Sequence, residues 1–192
     1  MMKYQTLFSY IKSIITIVLI ISIPLSLGTL FIIKQVKKQH HRKVYPITTQ
    51  KFLSTMARLE STNDAKIIST TGYLGKYQFS MATLKYLGIR TAKDTFIVND
   101  YLKNEELQDS AMILYMKYNQ KIMYHHIKDC VGSRVKDIYI TKAGMLAGAH
   151  THGAGAVIIF LNTEGEVDAK DGNGVKVSDR MKKFEKAGAI NL

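Results

Sequence analysis

With 192 residues, 46% of them hydrophobic, the chain can form one ordinary core and an additional segment. Seven of its 27 basic residues lie in residues 1–43, which contain no acidic residue, so the formal net charge of +12 falls to +5 for the remainder. This mild excess gives no reason to expect a nucleic-acid partner, and the lone Cys130 excludes an intrachain disulfide and a Cys-x-x-Cys metal site.

The additional segment lies near the N-terminus. After a short tail of residues 1–12, Ser13 to Ile33 gives 21 residues without a charge, which as a helix would extend about 32 Å and cross a bilayer core. Ser26-Leu27-Gly28 is a small-x-small pattern of the kind that signal peptidase cuts. Because Phe31-Ile32-Ile33 continues the apolar run beyond it, we favour an uncleaved transmembrane anchor.

The basic residues around this span leave its orientation open. Two lysines precede the span and five basic residues follow it, Lys34, Lys37, Lys38, Arg42 and Lys43. The positive-inside rule then favours a cytoplasmic C-terminal domain. A short tail before a translocated domain is nevertheless common. Residues 34–46 form a basic juxtamembrane linker, and residues 47–192 form the predicted folded domain.

Helical patterns dominate this domain. A helix capped by Thr48 or Thr49 is predicted to reach Glu60, and a second is predicted over Ser80–Tyr86, ending at Gly88. The 25 residues from Asn104 to Lys128 contain no Gly or Pro and predict one long helix, whose Met112, Met116 and Met123 we assign to the core.

Shorter elements complete the domain. Thr141 caps a predicted helix through Ala149, Gly153 and Gly155 predict a turn, and Ser178-Asp179 begins the last helix. Strand signals are confined to residues 66–71 and 137–140. The predicted fold is therefore mainly α, with a small hairpin or irregular region soon after Glu60.

Glu60 and the loop after it carry the clearest chemical signal. A carboxyl at the end of an amphipathic helix has a raised pKa if that end is buried, as a general acid requires, although a solvated carboxylate is the commoner case. Glycines at 72 and 75 let backbone approach a ligand, Tyr73 and Tyr77 offer ring faces for sugars, and Gln78 adds an amide. Without Glu60, a tight turn with two core tyrosines would be the better interpretation.

These residues resemble a known family. Glu60-Ser61 followed by Gly72-x-x-Gly75-x-x-Gln78 is similar to the Glu-Ser and Gly-x-x-Gly-x-x-Gln pattern of the lytic transglycosylase and goose-type lysozyme superfamily. The segment from Ala149 to Val157 resembles that family's Ala-Tyr-Asn-Ala-Gly-x-Gly-x-Val motif, with His150-Thr151-His152 in place of Tyr-Asn-Ala. The resemblance covers most of residues 50–184.

The resemblance implies a lysozyme-like α+β domain that cleaves the β-1,4 bond between N-acetylmuramic acid and N-acetylglucosamine in peptidoglycan. Glu60 would protonate the glycosidic oxygen and then act as base, on the sugar's 6-hydroxyl in a lytic transglycosylase or on water in a lysozyme. We favour the transglycosylase. The expected substrate contacts are Tyr73, Gly75, Tyr77, Gln78, His150 and Thr151.

Two other kinds of site are less favoured by the pattern. A two-carboxylate mechanism would need a partner for Glu60 at a defined separation, but Asp64 is typical of a turn and Asp171 of a loop, so a single-glutamate mechanism is preferred. The histidine pairs at 125–126 and 150–152 lack a carboxylate at ligand spacing. We therefore predict neither a metal site nor a cofactor.

Three functional hypotheses follow. The first is a peptidoglycan-cleaving enzyme held in the inner (cytoplasmic) membrane by one span, with its domain facing the periplasm or cell wall. The second, suggested by His150 in place of tyrosine, is a non-catalytic peptidoglycan-binding module in a cell-envelope assembly. The third, suggested by the basic residues that follow the predicted span, is a cytoplasm-facing membrane protein without a glycan partner.

Overall fold

A computed structural model describes residues 45–91 and 96–190, all within one compact unit, Lys43–Leu192. The predicted transmembrane anchor at residues 13–33, its N-terminal tail and most of the basic linker lie outside the described residues. The described part is mainly helical with two small sheets. Its helices are α1 (Thr49–Ser61), α2 (Met81–Tyr86), α3 (Val98–Lys103), α4 (Glu105–Ile122), α5 (Tyr124–Cys130), α6 (Lys142–Asn162) and α7 (Val177–Lys183).

Side-chain caps start four of these helices. The side chains of Thr48, Ser80, Asn104 and Thr141 each accept a hydrogen bond from the backbone N–H three residues later. Such a bond satisfies one of the free amides in the first turn. The predicted starts of α1, α2, α4 and α6 are therefore confirmed.

One helix prediction was wrong, and one helix was not predicted. The single helix expected from Asn104 to Lys128 is interrupted at Met123, where the backbone leaves helical geometry and the buried side chain stays in the core. The chain then continues as α5, which has no buried residue. Helix α3 was not predicted, because it is only six residues long and has no side-chain cap.

Helix α6 contains a break at Gly153, whose φ of 79° and ψ of 156° are not helical. The predicted turn at Gly153 is thus confirmed, but Gly155 lies within the helix that resumes after it. Within the described ranges, α6 is the one helix long and apolar enough to cross a bilayer, with mean hydropathy 1.3. More than half of it is buried inside the domain, as in the central helix of a core.

The four strands are short. β1 (Tyr45–Ile47) pairs in parallel with β4 (Ala187–Ile190), and β2 (Arg134–Val135) pairs antiparallel with β3 (Ile138–Tyr139). The strand expected at residues 66–71 is reduced to an isolated bridge between Ile68 and Leu74. Residues 62–80 instead form an irregular loop, as expected for the segment after Glu60, and we call it the site loop.

The core joins α1, α4, α6 and α7, and it includes Met112, Met116 and Met123 as predicted. Two glycines of α6 bring α7 close. A Cβ at Gly144 would lie 2.9 Å from the carbonyl oxygen of Met181, and one at Gly148 would lie 3.2 Å from the Met181 side chain. Glycine is needed at these positions because of this close packing.

Candidate active site

A groove of about 510 Å³ lies beside Glu60, and this volume is within the usual range for ligand sites. It gathers five of the seven predicted site residues: Glu60, Tyr73, Gln78, His150 and Thr151. Hydroxyl groups of residues 69–71 and the loop of residues 171–173 complete its walls. The lining is therefore rich in hydroxyl, amide and carboxyl groups, which suits a polar, hydroxyl-bearing ligand.

Glu60 lies near the end of α1, with its side chain 11% exposed. Burial raises the pKa of this carboxyl, and the Arg180 guanidinium opposes that change. Asp171 raises the pKa further, and His152 lowers it. Its Oε1 lies 3.2 Å from Nη2 of Arg180, but this buried oxygen makes no well-directed hydrogen bond. The carboxyl thus has the partly desolvated setting expected of a general acid.

Ser61 connects the end of α1 to the site loop. Its buried hydroxyl donates to the carbonyl of Lys76 at 3.0 Å and accepts from the backbone N–H of Asp64 at 3.0 Å. Because Glu60 directly precedes this residue, the same bonds hold the carboxyl-bearing turn against the loop.

The site loop is anchored from behind by Gln108, a fully buried residue of α4. Its Oε1 accepts from the backbone N–H of Lys76 at 2.8 Å, and its Nε2 donates to the carbonyls of Ala65 at 3.0 Å and Tyr101 at 3.1 Å. Sequence reasoning missed this residue. The sequence signal that could have identified Gln108 is its position three residues before the buried Ala111, which places a polar side chain on the apolar face of α4.

Two predicted sugar contacts, Gly75 and Tyr77, lie behind the groove and not on it. A Cβ at Gly75 would stand 2.3 Å from Oε1 of Gln108, and φ is +66°, so glycine is required by packing and backbone geometry. Tyr77 is 1% exposed and donates its hydroxyl to Asp109. Burial, with the neighbouring Asp109 carboxylate, raises the pKa of this phenol. Tyr77 is therefore a core tyrosine, the alternative that the sequence also allowed.

Lys76 secures the same part of the loop. Its ammonium group is buried and forms ion pairs with Asp109 at 2.8 Å and Glu105 at 3.5 Å. These contacts fasten the loop to the first turns of α4, while Tyr73 remains 45% exposed on the groove side. Tyr73 can thus offer a ring face to a ligand.

His150 occupies the groove floor as a neutral ring. Its Nε2 lies 2.9 Å from the carbonyl of Tyr77 and must carry the proton, because a carbonyl can only accept. Burial lowers the pKa of His150 to about 4, Arg180 lowers it as well, and the bond to Tyr77 acts in the opposite direction. The buried Nδ1 has no hydrogen-bond partner.

Replacing His150 by Phe should change the pH dependence of stability. The native pKa of His150 is below its ordinary value of 6.5, so unfolding takes up a proton and the free energy of unfolding falls as pH drops from 6.5 towards 4. We expect His150→Phe, measured by thermal unfolding, to remove about 2 kcal/mol of that decline. The exposed His125→Phe is the matched control; an equal decline in all three proteins would contradict a buried neutral His150.

The two other carboxylates considered near Glu60 are engaged in turns, as expected. Asp64 accepts from the backbone N–H of Lys66 at 2.8 Å. Asp171 accepts from the N–H groups of Asn173 and Val175, both at 2.9 Å, and so shapes the loop that forms one groove wall. Neither arrangement favours a second reacting carboxylate.

Arg180 is the functional neighbour that sequence reasoning did not find. It comes from α7, 120 residues after Glu60 in the chain, and no local pattern marks it. In residues 45–91 and 96–190, no three His, Cys, Asp or Glu side chains lie close enough to hold a metal ion.

Comparison of the chain with protein-family models, characterised proteins and solved structures finds no match in any of the three. The assignment of a function therefore depends on the chemistry of the groove.

Proposed function

We propose that this domain is lysozyme-like and cleaves the β-1,4 bond between N-acetylmuramic acid and N-acetylglucosamine in peptidoglycan. The observation that carries the proposal is the desolvated Glu60 carboxyl, with its raised pKa, on the wall of a polar groove. The mainly helical architecture and the irregular loop after Glu60 are compatible with it, as is the sequence resemblance.

In the proposed mechanism, protonated Glu60 gives its proton to the glycosidic oxygen as the bond from that oxygen to C1 of the muramic acid breaks. Positive charge then develops at C1 and on the ring oxygen. The Glu60 carboxylate next removes a proton from the sugar's 6-hydroxyl, whose oxygen bonds to C1 and yields a 1,6-anhydro end. With water as the nucleophile instead, the same steps give a reducing end.

The transglycosylase outcome is favoured by the surroundings of Glu60. Retaining and inverting hydrolases commonly use a second carboxylate as nucleophile or as base for water. Asp171, which also lines the groove, uses Oδ1 to hold its own loop. An attack by the sugar's own hydroxyl needs only one carboxyl, which can act first as acid and then as base.

The other groove residues have roles suited to a glycan. Tyr73 offers a ring face for stacking on a sugar, and Thr151 and residues 69–71 supply hydroxyl groups. Gln78 gives one amide hydrogen to the carbonyl of Gly75 at 2.8 Å, which fixes the orientation of its side chain. His150 lines the groove as a neutral ring.

The proposal places the domain on the periplasmic or wall side of the inner membrane, held by the predicted span at residues 13–33. Peptidoglycan strands are then its polymeric partner, with other cell-envelope proteins as further candidates.

A second function is favoured by one contact. The Arg180 guanidinium beside Glu60 stabilises the charged carboxylate, and a carboxylate cannot donate a proton. If Arg180 keeps the Glu60 carboxyl ionised, the domain is a non-catalytic module that retains the groove and binds peptidoglycan.

Product analysis distinguishes these functions. The full-length chain, purified in detergent, is incubated with purified peptidoglycan, and the soluble products are weighed by mass spectrometry. We expect 1,6-anhydro ends, which are one water lighter than reducing ends; reducing ends would instead indicate a lysozyme. A folded protein that sediments with insoluble peptidoglycan and releases nothing would favour the binding module.

A further inference from the structure

Helix α7 is held in place between α6 and α1. Its buried residues Val177 and Met181 pack at Gly148 of α6. On the other side, the ring of Phe184, just after α7, lies 4.9 Å from the ring of Phe52 in α1. These contacts fix the rotation of α7, and therefore the direction in which Arg180 leaves it.

The contact between Arg180 and Glu60 is largely buried. Both side chains are 11% exposed, and Nη2 of Arg180 lies 3.2 Å from Oε1 of Glu60. Nε of Arg180 and Oε1 of Glu60 are both buried without a hydrogen bond. The contact is therefore a single ion pair, not the two-pronged hydrogen-bonded arrangement that arginine frequently makes with a carboxylate.

The two oxygens of the Glu60 carboxyl differ in their surroundings. Oε1 is buried on the side of α7, whereas Glu60 also lines the groove. The oxygen available to the groove is then Oε2. Arg180 is not among the residues that line the groove, and its ion pair with the groove is the one to Glu60.

We infer that Arg180 is a positioning residue for Glu60: by holding Oε1 from α7, it presents Oε2 to the glycosidic oxygen of the bound glycan. This inference rests on the proposed function. An unrestrained glutamate at a helix end would sample several rotamers, and proton transfer needs one of them.

The ion pair between Arg180 and Glu60 also affects the pH range in which Glu60 can donate a proton. The charged and titratable groups facing Glu60 are Arg180 on α7, His152 on α6 and Asp171 on the groove loop, with His150 neutral beside them. Burial favours the protonated carboxyl and Arg180 favours the charged one. Without Arg180, Glu60 would keep its proton to higher pH, and the alkaline limit of activity would move up with it.

The test uses the full-length chain in detergent with ¹³C-labelled glutamate. The sequence has six glutamates, and the signal lost in Glu60→Gln assigns Glu60. Its titration is then followed by NMR in wild type, Arg180→Gln and Arg180→Lys. Arg58→Gln is the matched control, because Arg58 is an exposed arginine of α1, two residues from Glu60.

We expect the Glu60 titration to move to higher pH by about one unit in Arg180→Gln, by less in Arg180→Lys, and hardly at all in Arg58→Gln. On soluble glycan strands, kcat should fall about tenfold in Arg180→Gln with little change in KM, and the alkaline limb of its pH profile should shift in the same direction as the titration. Arg180→Lys should recover part of kcat.

The inference is overturned if Arg180→Gln and Arg58→Gln titrate alike, or if kcat is unchanged in Arg180→Gln. Should Arg180→Gln fail to fold, the same comparison of titration and kcat is made with Arg180→Lys. If wild type cleaves no peptidoglycan, the proposed function fails, while the titration still decides separately whether Arg180 holds the Glu60 carboxyl.

Discussion

Glu60→Gln should lower peptidoglycan turnover by about 10²- to 10⁴-fold while leaving the domain folded. An amide cannot give up a proton to the glycosidic oxygen, but its carbonyl can still accept from Arg180, so the arginine keeps a partner. The measurement is release of soluble muropeptides per enzyme, with thermal unfolding by circular dichroism as the check on folding.

The matched control for this variant is Glu106→Gln, in the exposed first turn of α4. It makes the same chemical change away from the groove and should retain wild-type turnover. Full turnover in folded Glu60→Gln protein would remove Glu60 from the mechanism. The glycan chemistry would then need a different acid from the groove.

The largest loss of stability is expected for Gln108→Leu. Leucine fits a similar volume but leaves the N–H of Lys76 and the carbonyl of Ala65 without their partner. The carbonyl of Tyr101 loses one of its two donors and keeps the backbone N–H of Asn104. Since each buried polar group left without a hydrogen bond costs roughly 1–3 kcal/mol, we expect the free energy of unfolding to fall by about 3 kcal/mol or more. For a domain of this size that lowers Tm by about 8 °C or more.

The exposed Gln50→Leu, on α1, is the control for this measurement and should leave Tm close to that of wild type. Because Gln108 supports the loop that carries Tyr73 and Gln78, turnover should fall as well. An unchanged Tm in Gln108→Leu would mean that the site loop is held mainly by the Lys76 and Ser61 contacts.

The accuracy of the sequence predictions followed the range of the interactions involved. The caps at Thr48, Asn104 and Thr141 act over three residues, and the break at Gly153 depends on one backbone conformation, so all four could be recognised locally. The gathering of Glu60, Tyr73, Gln78, His150 and Thr151 on one groove was expected from the resemblance.

Contacts between distant segments could not be predicted in this way. The buried Tyr77 donates its hydroxyl to Asp109 of α4, and Gly75 is required because Gln108 fills the space where a Cβ would lie. The ion pair of Arg180 with Glu60 depends on how α7 packs on α6 through Gly144 and Gly148. In each case the decisive partner lies more than thirty residues away, beyond the reach of a periodic pattern.

The pairing of β1 with β4 has a mechanical consequence. Tension applied to the chain before Tyr45 reaches the hydrogen bonds between β1 and β4 before it reaches α1. Glu60 stands near the opposite end of α1, a 13-residue helix about 20 Å long. A domain tethered through its N-terminal side therefore receives the load first at the β1–β4 pair. Along α1, this pair is one helix length from Glu60.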